Sequence, residues 1–169
     1  DLRGGVHFLM QVDTETALRN RQDGTLQDLR IRFREENIRY NQASVEDDSS
    51  IFFKFNNFQA KEKAEEFIID NYTQFNFPLT SNGENSMQLY LSEAEIDQIE
   101  SDAIDQNLTT LRNRVNELGV SEPIVQRQGK KRIVVQLPGI QDTAAAKNIL
   151  GKTATCLLYT SPSPRDGHQ

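Results

Sequence analysis

Residues 112–140 read Arg112-Asn113-Arg114-Val115-Asn116-Glu117-Leu118-Gly119-Val120-Ser121-Glu122-Pro123-Ile124-Val125-Gln126-Arg127-Gln128-Gly129-Lys130-Lys131-Arg132-Ile133-Val134-Val135-Gln136-Leu137-Pro138-Gly139-Ile140. Ile96, Ile99, Ile104, Leu108, Leu111, Val115 and Leu118 recur at helical spacing, so a long helix ends inside this stretch. Ser92 is its N-cap, and Glu95 three residues later completes a capping box. Gly119 sits where a left-handed C-cap is wanted. Arg112 and Arg114 lie in the last turns, where positive charge suits the helix dipole. Glu122-Pro123 leads into extended chain. Ile124 to Arg127 then makes a short strand, Gly129-Lys130 a tight turn, and Ile133, Val135 and Leu137 alternate along a second strand. Pro138-Gly139 closes it. Asp142 caps another helix, with Ala145, Ile149 and Leu150 expected inward, and a further strand is expected to begin at Thr153.

Working back from there, Ser86 to Leu91 reads as a strand and residues 80–85 as a loop rich in Asn, Ser and Gly. Asn57 caps a helix whose buried face is Ala60, Ala64, Phe67, Ile68 and Tyr72. Tyr40 to Glu46 and Ser50 to Phe55 are strands around the turn residues Asp47-Asp48-Ser49, with Ile51, Phe53 and Phe55 inward. Leu18, Gln22, Leu26, Leu29 and Phe33 share one face of an amphipathic helix that starts near Asp13-Thr14. Val6, Phe8, Met10 and Val12 alternate with His7, Leu9 and Gln11 as a half-buried strand. The fold class is α+β. The order β-α-β-β-α-β predicts a ferredoxin-like unit over residues 1–91, with two helices on one face of a four-stranded sheet. A second α-β-β-α unit follows over 92–155 and is expected to lack its last strand.

The chain has 169 residues, 36% of them hydrophobic and 26% charged, with a net charge of −6. That suits a folded segment of one domain or two small ones. No apolar run approaches the roughly 20 residues that cross a bilayer. The acidic balance argues against a nucleic-acid binder, which would carry a basic stripe. Residues 156–169 stand apart. Cys156-Leu157-Leu158-Tyr159-Thr160-Ser161-Pro162-Ser163-Pro164-Arg165-Asp166 reads as the forward translation of a transposase adapter used in DNA library preparation, so this tail is expected to be non-native. Without Arg165 and Asp166 the chain has 18 basic and 24 acidic residues, and the net charge stays −6. The one cysteine, Cys156, lies in the tail, so the remainder forms no disulfide or thiolate metal site.

The opening run Asp1-Leu2-Arg3-Gly4-Gly5-Val6-His7-Phe8, taken with residues 112–140, resembles the SecD family of bacterial protein-export membrane proteins. The residues that carry the resemblance are Asp1, Arg3, Gly4, Gly5, Arg112, Arg114, Asn116, Gly119, Glu122, Pro123, Gln126, Gly129, Arg132, Pro138 and Gly139. The resemblance implies the N-terminal part of a first periplasmic domain, reached from a transmembrane helix through the Asp-Leu-Arg-Gly-Gly segment. It implies work with SecF, YajC and the SecYEG channel on unfolded preproteins at the bacterial inner membrane, driven by the proton gradient. It implies no cofactor, and it places the proton-carrying residues in membrane helices outside this segment. The signature residues then act as structural punctuation, with no catalytic, cofactor or metal role.

Sharper readings of single features are available. Arg3-Gly4-Gly5 could form an anion cradle of exposed N–H groups, as in a small ferredoxin-fold hydrolase of the acylphosphatase kind. The aromatic before the arginine and the facing asparagine that such a site needs are not evident. His7 is a lone histidine, more suited to packing than to a metal. The acidic pairs Glu35-Glu36, Asp47-Asp48 and Glu65-Glu66 fit solvated helix faces and turns better than tuned acid/base pairs. Phe52, on the outward side of its strand, is the aromatic most suited to meeting a partner. A translocase platform is therefore the leading reading. The hydrolase and a free-standing ferredoxin-like binding module are the alternatives.

Overall fold

The computed structural model describes residues 4–81 and 83–151, and the backbone of 156–160. Asp1, Leu2 and Arg3 lie outside the described residues, and so does the tail beyond Thr160. The elements are β1 (Gly5–Val12), α1 (Thr14–Glu35), β2 (Tyr40–Val45), β3 (Ile51–Phe55), α2 (Phe58–Asn71), β4 (Ser86–Leu89), α3 (Glu93–Glu117), β5 (Ile124–Gln128), β6 (Arg132–Pro138), α4 (Thr143–Leu150) and β7 (Cys156–Thr160). Their order is the one the periodicities predict, and the class is α+β.

The sheets are not paired as expected. β1 does not join β2, β3 and β4. It lies between β6 and β7 in a four-stranded sheet of order β5-β6-β1-β7, while β2-β3-β4 form a separate three-stranded sheet. The predicted four-stranded sheet over 1–91 is thereby corrected. The reason is physical. Alternation at Val6, Phe8, Met10 and Val12 marks a strand with one buried face, but says nothing about which strand it pairs with. Neighbours in sequence usually pair, and here a long stretch intervenes between partners. β1 runs antiparallel to β6, with Phe8 opposite Val135 and Met10 opposite Ile133. Two compact units result: residues 1–14 with 99–169, and residues 15–98.

The expected absence of a last strand is likewise not what forms. β7 spans Cys156–Thr160 and pairs antiparallel with the outer edge of β1, from Phe8 opposite Thr160 to Val12 opposite Cys156. A strand edge is read through its backbone, so a stretch of β-forming residue types after α4 can fill it.

The core of the first unit is Phe8, Met10 and Val12 of β1, Ile104, Leu108, Leu111 and Val115 of α3, Val125 of β5, Ile133, Val135 and Leu137 of β6, and Ala146 and Leu150 of α4. Ala146, not the expected Ala145, is the inward alanine of α4; Ala145 is exposed and Ile149 half-buried. Asp142 caps that helix through its Oδ1, which accepts the Ala145 N–H at 3.0 Å.

The second unit packs α1 and α2 residues with a sheet rich in aromatics. Leu26, Leu29, Phe33, Ile51, Phe53, Phe55, Ala64, Ile68, Met87 and Leu89 are all buried. α1 ends in a Schellman turn: Ile38 N–H donates to Phe33 O at 2.8 Å and Asn37 N–H to Arg34 O at 3.2 Å, with Asn37 left-handed at φ +57. Asn57 caps α2, its Oδ1 accepting the Ala60 N–H at 2.8 Å. At α3 the Ser92 Oγ accepts the Glu95 N–H at 3.2 Å, but the Glu95 carboxylate faces Arg21 at 3.5 Å, leaving only half of the expected capping box.

Candidate functional site

The signature residues that are described all fall in the first unit, and they converge on the joints between its elements. α3 stops where expected. Leu118 and Gly119 donate their N–H groups to Val115 and Asn116 carbonyls at 3.1 Å each, and Gly119 takes φ +69. Asn116 itself is exposed. Glu122, just before Pro123, is left-handed at φ +52. A non-glycine residue there costs about 1–2 kcal/mol, which the flanking structure must offset. Nothing in a Glu-Pro pair announces that conformation. Gly129, at φ +67, opens the β5–β6 turn, and Gln128 and Arg132 face each other across its base. The Lys131 carbonyl in this turn accepts the Val12 N–H at 2.8 Å, tying the hairpin to the end of β1. Gln126 and Arg132 are exposed on this hairpin.

The two arginines do more than offset their own helix dipole. Arg112 Nη2 donates to the Val125 carbonyl at 3.1 Å and links α3 to β5. Arg114 Nη1 donates to the Ile149 carbonyl at 3.0 Å. That carbonyl lies in the last turn of α4, where C=O groups lack helical partners and the dipole favours a cation. One short stretch of α3 therefore holds both a strand and the end of a helix.

Gly4-Gly5 meets Pro138-Gly139 at the other joint. The Gly4 carbonyl accepts the Gly139 N–H at 2.9 Å, and Gly139 takes φ +83. The need for glycine at position 5 is close approach, not the sharp turn that the sequence suggests. A Cβ on Gly5 would lie 3.0 Å from the Leu137 carbonyl oxygen and 3.1 Å from Pro138 Cα, whereas one on Gly4 would meet nothing within 4 Å. Gly5→Ala is accordingly expected to lower the stability of this unit by about 1–3 kcal/mol, because backbone must shift. Gly4→Ala should change it by less than ~0.5 kcal/mol. Urea unfolding of the two variants checks the contrast, and equal midpoints would refute it.

The other singled-out residues are scattered. His7 is half-buried on β1 opposite Gln136. Among the described residues no group of three or more His, Cys, Asp and Glu side chains could hold a metal ion. Glu35 and Glu36 are exposed at the end of α1. Asp48 holds the β2–β3 turn: its Oδ1 accepts the Ser50 hydroxyl at 2.5 Å and the Ser50 N–H at 3.0 Å, and those bonds lower its pKa. Glu65 lies 3.9 Å from Lys61 on α2. Periodicity gave no sign that Lys61 would be buried, where its Nζ donates to Ser81 Oγ at 2.5 Å and to the Gly83 carbonyl at 3.3 Å. Tyr72 donates to Asp28 Oδ2 at 2.5 Å; burial first, and then that carboxylate, push its phenol up to about 12.

The family described as protein translocase subunit SecDF, P1 domain, N-terminal, matches residues 104–159, a window that opens inside α3 and takes in the hairpin, the Pro138-Gly139 corner and α4. Protein translocase subunit SecD of Escherichia coli K12 is 45% identical over 155 residues, which cover 92% of this chain and 25% of that protein. SecD of Pseudomonas aeruginosa is 46% identical over 165 residues, or 97% of this chain and 26% of its own length. SecD of Calditerrivibrio nitroreducens is 32% identical over 159 residues, with 94% and 31% covered. The chain thus spans about a quarter of the length of the first two relatives. No helix among the described residues is long and apolar enough to cross a membrane. The chain belongs to the SecD family of protein translocase subunits and carries sequence of its P1 domain.

Proposed function

We propose that this chain is the rigid, non-catalytic base of a Sec translocase subunit on the periplasmic side of the bacterial inner membrane. It acts beside SecF, YajC and the SecYEG channel, and the whole subunit uses the proton gradient to help unfolded preproteins across. We read the first unit as the ferredoxin-like part, since β1-α3-β5-β6-α4-β7 has the split βαβ order with the second unit's sequence inserted after β1. Asp1 to Gly5 and the signature residues serve as its joints. The observation that supports this reading is the place of β1. The strand that follows the Gly4-Gly5 segment is central, paired on one edge with β6 and on the other with β7. Pulling on it must shear two ladders at once, and the Gly4–Gly139 bond and the Arg112 and Arg114 ties spread that force into the hairpin and helices. Such a base transmits motion between a membrane anchor and whatever it carries.

The test is export in cells depleted of their own SecD and supplied with a SecD whose matching segment is replaced by this one. Export of a Sec-dependent preprotein should be restored, and Arg114→Met in the graft should reduce it without lowering the amount of SecD. A stable graft that restores nothing would end the proposal.

A further inference from the structure

The second unit carries a cleft that the signature residues do not touch. Cavities of about 400 Å³ and 740 Å³ share Arg30, Arg34 and Tyr40; the smaller reaches Arg39 and Asn56, and the larger runs on to Ser44 and Phe52. Together they follow the length of β2. The chain carries −6, yet no carboxylate lines the smaller cavity. Glu46 is the one acid of the larger, and its Oε1 accepts the Ser44 hydroxyl at 2.9 Å. Arg34 and Arg39 are exposed, and among the described residues neither guanidinium has a hydrogen bond or an ion pair. Arg30 uses Nη2 on the Ala43 carbonyl at 3.1 Å, which leaves its other donors.

The cleft is walled by an open sheet edge. β2 is terminal in the order β2-β3-β4. The Glu46 N–H donates to the Ser50 carbonyl at 2.8 Å, on the β3 side. Backbone groups alternate along a strand, so Ala43 and Val45 turn theirs away from β3, as the Arg30 bond to Ala43 agrees. The Ala43 and Val45 N–H groups and the Val45 carbonyl therefore stand open beside fixed positive charge, with the Ala43 carbonyl held by Arg30. A small anion would engage the guanidiniums and leave the edge and the longer cavity unused. An extended chain with carboxylates uses both, and the half-buried Phe52 and Tyr40 offer apolar contact to its alternate side chains. We propose that the Arg30–Arg34–Arg39 cleft binds an extended acidic polypeptide segment, which adds as a strand to the free edge of β2. This goes beyond the platform role and stands without it, since every residue it uses lies in the other unit.

The test titrates the full chain with a fluorescent peptide alternating Glu and Val, long enough to span β2, and with its Lys counterpart. The acidic peptide should bind at least ~10-fold more tightly, and the Ala43 and Val45 amides should gain protection from hydrogen exchange. Arg34→Glu with Arg39→Glu should weaken the acidic peptide at least ~10-fold and strengthen the Lys peptide. Both positions are exposed, so unchanged exchange at Phe53 should show the fold intact. Equal binding of the two peptides would overturn the proposal. So would undiminished binding by the double variant, or protection that spares Ala43 and Val45. Displacement of the peptide by inorganic phosphate at equal charge would also overturn it, by showing an anion site alone.

Discussion

Phe33→Ala is expected to cost the second unit about 3–5 kcal/mol, out of a total that for such a domain is only ~5–15 kcal/mol. Phe33 has no exposed surface. Its ring centroid lies 5.1 Å from Phe53, 5.9 Å from Phe67, 6.3 Å from Tyr40 and 6.4 Å from Phe55. These neighbours come from β2, β3 and α2, so one side chain of α1 joins every other aromatic element of the unit. Truncation removes both its buried area and the tilted ring contacts, and rings fixed on separate elements cannot close the hole. Phe33 is also the residue whose carbonyl accepts the Ile38 N–H in the Schellman turn, so the loss falls where α1 hands over to β2. Phe58→Ala is the control, because Phe58 is 51% exposed and should cost less than ~0.5 kcal/mol. Deuterium uptake by β3 reads the difference directly. Uptake should rise steeply in Phe33→Ala and stay at the parent level in Phe58→Ala. Parent-level uptake in both would show that the aromatic cluster is not what holds this unit.

What the sequence reveals of this fold is local. Asn57 and Asp142 announce their helices because a short oxygen-bearing side chain before an apolar periodic run has one common use. Gly119 and Gly129 mark left-handed positions for the same kind of reason. The aromatic set Phe33, Phe53 and Phe55 is legible because period 3.6 and period two each place it on one face. Partnership across the chain is not legible. The alternation of β1 would serve either sheet, and its entry beside β6 depends on contacts more than a hundred residues away in sequence. The signature joints were partly readable. Gly4-Gly5 and Pro138-Gly139 are visible as punctuation, but their closeness, and the reason that Gly5 and not Gly4 must lack a Cβ, appear only when β1 and β6 are side by side. Arg112 and Arg114 look like dipole partners of their own helix, and the carbonyls they reach belong to other elements. Gln22 shows the limit in another way. Its place on the inner face of α1 is predicted and it is buried, yet neither amide atom has a partner among the described residues. Pattern alone would have put an apolar residue there.

Removing residues 156–169 is expected to bare the outer edge of β1 and to change exchange on that edge alone. The Val12 N–H goes to Lys131 and the Gly4 carbonyl to Gly139, so the even positions of β1 turn their backbone groups toward β6. By alternation Leu9 and Gln11 turn theirs toward β7, opposite Tyr159 and Leu157. Without β7 these two amides face water and should exchange at least ~10-fold faster, the factor that separates a bonded amide opening at a cost of ~1.4 kcal/mol from one with nothing to open. Phe8 and Met10 keep their β6 partners and should change far less. A truncated unit that simply unfolded would speed all four together, so the ratio between odd and even positions separates edge exposure from collapse. A bare, alternating edge is also a template for a second copy, and association that grows with concentration should follow in sedimentation. If Leu9 and Gln11 exchanged at their original rate, the β1–β7 ladder would contribute nothing. β1 would then be an edge strand held by β6 alone, with one ladder left to resist a pull along the strand.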